Sequence, residues 1–134
     1  IAVVEFVKGI VATYDQAITV SSDLANSASA VVAPNAFARV LTNLVSNGIN
    51  HGGQVSLHIG AGEIAVSDNG PGIAKESRTE IFQPFFRLET SRSVTTGGSG
   101  LGLAIVQQLC QAHGWQIAVD DAATGGAKFT LKYT

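Results

Sequence analysis

Apolar residues recur at helical spacing in three stretches of the chain, and each stretch predicts an amphipathic helix. The first stretch covers residues 3–14. The second begins at Pro34, since proline is favoured at the first position of a helix, and ends near the glycine pair at 52–53. The third is expected to begin at Ser99, whose hydroxyl can cap free N–H groups, and to end at Gly114.

Shorter stretches, rich in Val, Thr and Ser or with apolar residues at alternate positions, predict strands between the helices. Two pairs of these strands are separated by turn residues and are typical of hairpins. The six predicted strands are residues 17–21, 27–32, 55–59, 63–67, 115–119 and 127–133. This order of elements favours an α+β fold, with helices on one face of a mostly antiparallel sheet.

The composition limits the class of protein. A chain of 134 residues with 46% hydrophobic residues can bury one core, so we expect a single domain. The net charge is −2 and the eight Lys and Arg residues are scattered, which disfavours nucleic acid as a partner. The single cysteine, Cys110, excludes an internal disulfide. No apolar run approaches the length of about 18 residues that predicts a membrane-spanning helix.

Three asparagines form one stripe on the second predicted helix, at the border of its apolar face. Asn43, Asn47 and Asn50 fall close together when residues are placed at about 100° intervals. Asparagine is a poor helix former, but its oxygen can bind Mg²⁺ and its NH₂ group can meet a phosphate. The alternative is a set of solvated side chains on a surface helix, and the stripe alone favours that alternative.

A stretch of about thirty residues, 69–98, has little periodicity, which compact domains rarely tolerate without a functional reason. It follows Asp68, which lies at the end of a predicted strand and opens the sequence Asp-Asn-Gly-Pro-Gly. A carboxylate in this place can accept a hydrogen bond from the exocyclic amine of a base. An ordinary glycine–proline turn is the simpler interpretation of the same residues.

A second glycine-rich segment, residues 97–103, opens the third predicted helix. Several N–H groups and the positive end of the helix dipole can converge there on a phosphate. The glycine spacing fits neither the dinucleotide fingerprint nor the Lys-containing phosphate loop. A flexible tether is the alternative, although the ordered Leu-Gly-Leu-Ala-Ile-Val run that follows the first glycines disfavours it.

Between the two glycine-rich segments lies an aromatic group, Phe82, Phe85 and Phe86, followed by a polar stretch with Arg87 and Arg92. This pattern predicts an aromatic anchor and then a mobile flap that carries two cations. For at least one of the phenylalanines a place in the core is expected as well.

Taken together, these segments resemble the histidine-kinase branch of the superfamily that contains gyrase, heat-shock chaperone and mismatch-repair ATPases. The matching segments are its asparagine box at 43–47, first glycine box at 68–72, phenylalanine box at 82–87, second glycine box at 98–103 and closing glycine turn at 125–129. The resemblance covers residues 1–134 and implies the catalytic, ATP-binding domain of a bacterial sensor histidine kinase of the GHKL superfamily. It implies a two-layer α+β sandwich: a mixed, mostly antiparallel sheet of about five strands with three helices on one face.

By this resemblance ATP and Mg²⁺ are the expected cofactors. Asn47 would coordinate Mg²⁺, Asn43 would support the metal or the phosphates, and Asp68 would bind the adenine amine. Arg87 and Arg92 would stabilise charge on the transferring phosphoryl group, so these two and the two asparagines would be the catalytic residues. The expected nucleotide-binding residues are Asn43, Asn47, Asn50, His51, Asp68, Gly70, Gly72, Ile73, Phe82, Gly98, Ser99, Gly100, Leu101, Gly102 and Leu103.

The chain departs from the family pattern at two positions. Asn50 stands where a lysine is common, which removes one phosphate cation, and Gly48 replaces the usual alanine. A weakened nucleotide affinity is therefore expected. The superfamily's hydrolases have a glutamate at the position of Asn43, but no Asp or Glu occurs between Asp23 and Glu63. This favours transfer of the γ-phosphoryl group to a nucleophile over hydrolysis.

The expected acceptor is a histidine on the dimerisation domain of the parent kinase, because His51, His58 and His113 do not resemble the acceptor motif. A response regulator would be engaged through that domain. The chain would be a monomeric cytoplasmic fragment of a dimeric parent in the inner membrane. Two alternatives stay open: a degenerate nucleotide-binding module without catalysis, and a serine kinase of the anti-sigma type from the same superfamily.

Overall fold

The computed structural model describes residues 1–25, 27–83, 102–123 and 125–134. The helices of this part of the chain are α1 (Val3–Val11), α2 (Pro34–Gly52) and α3 (Gly102–His113). Two short 3-10 turns lie at Lys75–Ser77 and Glu80–Phe82. The strands are β1 (Thr19–Ser22), β2 (Val55–Gly60), β3 (Glu63–Asp68), β4 (Gln116–Asp121) and β5 (Ala127–Lys132).

The strands form one five-stranded sheet in the order β1-β2-β3-β5-β4. Strand β1 runs parallel to β2, and the other neighbouring pairs are antiparallel. The central register places Val66 of β3 opposite both Leu57 of β2 and Phe129 of β5. The predicted α+β sandwich with a mixed, mostly antiparallel sheet is therefore confirmed.

The core lies between the sheet and the helices. Alternate residues of β3 and β5 are buried, and α2 packs on β2 and β3 while α3 packs on α2 and β4. The helical spacing that predicted α2 is also the spacing of its buried residues. The fully buried positions of α2 are Phe37, Val40, Leu41, Leu44 and Val45.

Phe37 joins the two ends of the chain to the centre of the core. Its ring lies 5.7 Å from the ring of Trp115 and 5.1 Å from that of Tyr133, both in edge-on geometry. On its other side the ring of Phe6 lies 5.9 Å away. Aromatic pairs at such distances favour these tilted arrangements. Helix α1 and the closing hairpin are thus fixed to the same residue of α2.

The predicted strand at 27–32 is wrong. This segment contributes one antiparallel bridge, between Ala2 and Ser29, and Ala30 is hydrogen-bonded to Ile1. It runs beside the start of α1 and takes no place in the sheet order. Its Val and Ser content is typical of strands, but strand propensity depends on packing against neighbours, and Val31 is fully exposed.

The first helix ends at Val11, three residues before the end of its apolar pattern. Tyr14 nevertheless contacts α2: its hydroxyl donates to the carbonyl of Thr42 at 3.2 Å and lies 3.1 Å from Oγ of Ser46. Tyr14 thus satisfies the helical pattern by packing on α2 from an irregular segment. The observed β1 agrees with the prediction at 17–21 within two residues.

Strand β1 lies at the edge of the sheet, where a side-chain network supports it. The His58 ring on β2 lies with Nδ1 2.7 Å from Oγ of Ser21 and with Nε2 3.0 Å from Oδ2 of Asp23. His113 stacks on Trp115, with ring centroids 4.8 Å apart. His58 and His113 thus both contact neighbouring side chains.

None of the helices within the described ranges combines the length and the apolar character that a crossing of a lipid bilayer requires.

Cys110 is buried in α3, and burial raises the pKa of its thiol from 9.0 to about 11. Because the thiolate is the reactive form, we expect the native thiol to react with a disulfide reagent at pH 8 about 100-fold more slowly than the unfolded chain. Since the pKa is raised in the folded state, its contribution to stability is fully present below about pH 9. That contribution is lost as the pH rises toward 11.

Reaction rates measured with and without denaturant test the first expectation, and unfolding at pH 8 and pH 10.5 tests the second. Cys110→Ala supplies the control, because without the thiol the free energy of unfolding should fall less between pH 8 and pH 10.5. Equal reaction rates for folded and unfolded chains would show that the thiol is exposed.

Candidate functional site

The asparagine face of α2 meets the start of α3. Asn43 and Asn47 are partly exposed, one helical turn apart. A Cβ atom on Gly102 would lie 3.5 Å from Oδ1 of Asn43, so these two residues are in van der Waals range. The structure therefore brings together Asn43 and Gly102, which belong to separate sequence motifs, at 43–47 and 98–103.

Asp68 is the buried charged residue at the end of β3. Its exposed fraction is 5%, and no other polar or charged residue in the described ranges is buried to this degree. Oδ1 accepts a hydrogen bond from the Gly70 N–H at 2.9 Å and another from the Ala127 N–H at 3.2 Å. Burial of a carboxylate is costly unless it is hydrogen-bonded, and these two amides offset that cost.

The turn between β4 and β5 closes over Asp68. A Cβ atom on Gly126 would lie 2.3 Å from both Oδ1 and the backbone oxygen of Asp68, a separation that real atoms do not adopt. On the same turn the carbonyl of Gly125 lies 3.4 Å from where a Cβ atom of Gly72 would be, and Gly72 has a φ of 76°. Glycine is thus required at 126 by close approach and favoured at 72 by its backbone conformation.

Helix α2 approaches Asp68 from the other side through Gly48. A Cβ atom at this position would lie 2.8 Å from Cγ2 of Val55 and 3.5 Å from Cβ of Asp68. Glycine at position 48 therefore has a packing reason: it lets α2 lie closer to the ends of β2 and β3. Asn47 and Asp68 are consequently brought to the same end of the sheet.

Three more predicted residues lie around this end of the sheet. His51 is half-buried in the last turn of α2, and Ile73 and Leu103 are partly buried against the core. The ring of Phe82 also packs on the core, 6.2 Å from that of Phe129 in edge-on geometry. Phe82 thus has the core place that was expected for at least one phenylalanine.

Asn50 is exposed and faces the connection between α1 and β1. It lines a shallow cleft of about 290 Å³ together with Tyr14, Asp15, Gln16, Ser46 and Ile49. This cleft lies on the side of α2 that carries Ser46, whereas Asn43 faces α3. Asn43 and Asn50 therefore have different neighbours along the same stripe: the start of α3 lies beside Asn43, and the connection between α1 and β1 lies beside Asn50.

Six of the predicted residues lie outside the described residues. They are Arg87, Arg92, Gly98, Ser99, Gly100 and Leu101. Of the second glycine box, the structure thus describes Gly102 and Leu103. The expected flap, which was assigned to the polar stretch after Arg87, and the Ser99 cap of α3 lie outside the described residues as well.

Two features of the site were missed by sequence reasoning. Gly126 and Ala127 were recognised as part of a closing turn, but nothing in the sequence indicated that they contact Asp68, almost sixty positions away. Arg78 gave no signal at all, yet its guanidinium hydrogen-bonds to the carbonyl of Ile73 and to Asp121. Both features depend on how β4 and β5 return beside β3.

The described groups suit the recognition of a nucleotide. An ionised carboxylate has only hydrogen-bond acceptors and so selects a ligand donor such as an amine. The carboxamides of Asn43 and Asn47 supply oxygens for a hard cation and N–H donors for phosphate. The N-terminal turn of α3, next to Asn43, adds the positive end of a helix dipole.

Comparison with known proteins identifies the family of the chain. The family described as histidine kinase-, DNA gyrase B- and HSP90-like ATPase matches residues 32–134. Sensor protein RstB of Escherichia coli (strain K12) is 42% identical over 100 residues, which are 71% of this chain and 23% of RstB. The sensor-like histidine kinase SenX3 of Mycolicibacterium smegmatis is 43% identical over 98 residues, which are 68% of this chain and 26% of SenX3.

Among solved structures, the mycobacterial sensor histidine kinase MprB superposes with a TM-score of 0.80 at 25% identity, over 98% of this chain and 94% of that chain. The chain spans about a quarter of the length of the two sequence relatives. The family match covers most of the chain, and the relatives and the superposed structure are named as a sensor protein or as sensor histidine kinases. The chain therefore belongs to the histidine kinase-, gyrase B- and HSP90-like ATPase family, as the GHKL catalytic domain of a sensor histidine kinase.

Proposed function

We propose that this chain binds Mg²⁺–ATP between α2, the turn after β3 and the start of α3, and transfers the γ-phosphoryl group to a histidine on a separate dimerisation domain. The observation that carries the proposal is the buried Asp68 carboxylate, held by two backbone amides beside the asparagine helix. The similarity to sensor histidine kinases supports the choice of histidine as the acceptor.

Asp68 would recognise the adenine amine. Its carboxylate offers acceptors alone, so it favours a base with an N–H donor at the position where adenine has its exocyclic amine. Guanine has a carbonyl oxygen there, which would meet the carboxylate unfavourably. Gly70 and Gly72 lie in the adjoining turn and would shape the rest of the pocket, together with Ile73.

Asn47 and Asn43 would hold the metal and the phosphates. The described residues contain no group of three His, Cys, Asp or Glu side chains that could bind a metal ion on their own. Amide oxygens fit Mg²⁺, which usually takes few protein ligands and keeps phosphate and water ligands. When bound, Mg²⁺ would neutralise charge on the phosphates. The chain's own residues would orient the nucleotide, with Gly98 to Leu103 at the phosphates and Arg87 and Arg92 beside the transferring group.

Transfer is favoured over hydrolysis because α2 has no carboxylate that could activate water. Residues 24–62 contain neither Asp nor Glu, and Asp23 is engaged with His58 at the edge of the sheet. In the proposed reaction the bond between the γ-phosphorus and the oxygen of ADP breaks, a phosphorus–nitrogen bond to the acceptor histidine forms, and ADP leaves. The catalytic domain would contribute positioning and electrostatic stabilisation.

The further assignments depend on the parent protein. We propose that the acceptor domain belongs to the parent kinase, that a response regulator is engaged through it, and that the parent is a dimeric protein of the inner membrane with this domain in the cytoplasm. A module that binds nucleotide without catalysis is the second candidate. It is favoured by Asn50, which stands at a common lysine position and lines a cleft with Tyr14 and Gln16.

Asp68→Asn should weaken ATP binding by about 5- to 150-fold, corresponding to about 1–3 kcal/mol for a mispaired polar group. The amide oxygen can still accept from Gly70 and Ala127, so the fold should be retained, but the new NH₂ group would oppose the adenine amine. Titration calorimetry with an unhydrolysable ATP analogue measures the effect.

Asp23→Asn is the matched control, since this exposed carboxylate lies at the far edge of the sheet. It should leave the dissociation constant of the analogue unchanged. If Asp68→Asn binds the analogue as tightly as the original chain, the assignment of the adenine pocket is wrong.

Asn47→Ala should lower phosphoryl transfer by about 100-fold or more, because the oxygen proposed for Mg²⁺ is lost. Asn47→Asp retains an oxygen at this position and should keep part of the activity. The assay combines this chain, the separately produced histidine domain of its parent and γ-labelled ATP, and measures label on the histidine. Asn35→Ala, an exposed change in the first turn of α2, is the control.

The same assay separates the two candidate functions. A kinase domain should label the histidine while hydrolysing little ATP without it. A chain that binds ATP but labels no histidine would support the non-catalytic module. Rapid hydrolysis by the isolated chain would contradict the proposed role of the carboxylate-free helix.

A further inference from the structure

Arg78 links two segments that border Asp68. It lies between the two 3-10 turns, and its side chain is 19% exposed. The Nε–H group donates to the carbonyl of Ile73 at 3.2 Å, and Nη2 donates to Oδ1 of Asp121 at 2.7 Å. Asp120 is more distant, with its Oδ1 3.9 Å from Nη1. The guanidinium thus binds a backbone carbonyl and a carboxylate from different parts of the chain.

The first segment comprises residues 69–73, which directly follow Asp68. Within the described part of the chain, no backbone–backbone hydrogen bond is formed by any of these residues. Side chains hold the segment instead: Asp68 accepts from the Gly70 N–H, and Asn69 accepts from the Gln54 N–H. Arg78 is the side chain that holds the other end, through the carbonyl of Ile73.

The second segment is the turn between β4 and β5, which begins directly after Asp121. This turn is closed by its own backbone bonds, from Ala122 N–H to the Gly126 carbonyl and from Gly125 N–H to the Ala122 carbonyl. Gly126 lies against Asp68, and Gly125 lies near Gly72. A shift of Asp121 relative to Ile73 would therefore change the spacing of both surfaces around the carboxylate.

We propose that Arg78 is a positioning residue of the nucleotide site, which sets the distance between the segment at 69–73 and the residues Ala122, Gly125 and Gly126, and thereby fixes Asp68 for base recognition. This inference rests on the proposed binding of ATP. Arg78 itself does not touch the nucleotide in this arrangement. It acts through the carbonyl of Ile73 and through Asp121.

The geometry requires arginine. The planar guanidinium carries N–H donors in a fixed fork, so Nε–H can donate to the carbonyl of Ile73 while Nη2 donates to the carboxylate of Asp121. A lysine ammonium is a single point on a flexible stem and would bind one of the two partners. Asp121 is 76% exposed, so its ion pair adds little to the stability of the whole fold. The consequence of losing Arg78 should therefore appear in ligand binding rather than in unfolding.

The test compares the dissociation constants of ATP, GTP and adenosine for the original chain and for Arg78→Gln, well below the unfolding temperature. We expect ATP and adenosine to bind about tenfold more weakly to the variant and the preference for ATP over GTP to fall by a similar factor. Adenosine has no phosphates, so weaker binding of adenosine cannot arise from the loss of a positive charge that attracts phosphate. Partial unfolding would weaken all ligands by one common factor and leave the ATP-to-GTP ratio unchanged.

Arg78→Lys should not restore the ratio, and Asp121→Asn should lower it by about threefold. Asp121→Asn also keeps the inference testable if Arg78→Gln does not fold. Lys75→Gln removes an exposed cation from the adjoining turn and is the matched control, with no expected change.

Unchanged base preference in both Arg78→Gln and Asp121→Asn, or full recovery in Arg78→Lys, would overturn the inference while the proposed function stands. An original chain that binds neither ATP nor adenosine would overturn the proposed function and this inference with it.

Discussion

The site depends on one constraint, the burial of the Asp68 carboxylate at the end of β3. The paired register of β3 and β5 ends at Ser67 and Lys128, and the next N–H of β5, that of Ala127, donates to the carboxylate of Asp68. At this end of the sheet, the carboxylate of Asp68 thus accepts a hydrogen bond in place of a backbone carbonyl. This replacement requires the turn before β5 to approach Asp68 closely, which explains why residue 126 has no side chain. The close packing of α2 on the same end of the sheet favours glycine at position 48.

Much of the fold could be predicted because its signals are local. The helical spacing of apolar residues in α2 and the alternation in β3 and β5 reflect which side faces the core, and the structure buries the same positions. The segment 27–32 shows the limit of this approach. Its composition is typical of a strand, but its place beside Ile1 and Ala2 depends on how the N-terminus packs, which local residue preferences do not contain.

Residues of the candidate site that belong to short motifs could be predicted, but residues brought close by the fold could not. Asn43, Asn47 and Asp68 belong to short motifs whose chemistry is visible in a few neighbouring positions. One of the two amides that support Asp68 belongs to Ala127, which strand order brings close although it is distant in sequence. The neighbours of Asn50, which lines a cleft with Tyr14, likewise depend on the segment that follows α1. An isolated helix pattern gives the angle of a side chain but not the identity of its neighbour.

In the proposed function, this domain must hold ATP until another domain delivers the nucleophile, and the arrangement suits that requirement. In the proposed function the base is recognised by a carboxylate whose position is fixed by two amides, by Gly126 and by the bridge from Arg78 to Asp121. Binding energy obtained at the base can then orient the phosphates. Helix α2 has no carboxylate that could activate water for their hydrolysis. A loosely held Asp68 would still bind ATP, but in several orientations, and transfer to an incoming histidine requires the reacting atoms to be aligned. The rigid support of the adenine end is therefore, in this view, a condition for reaction at the other end of the nucleotide.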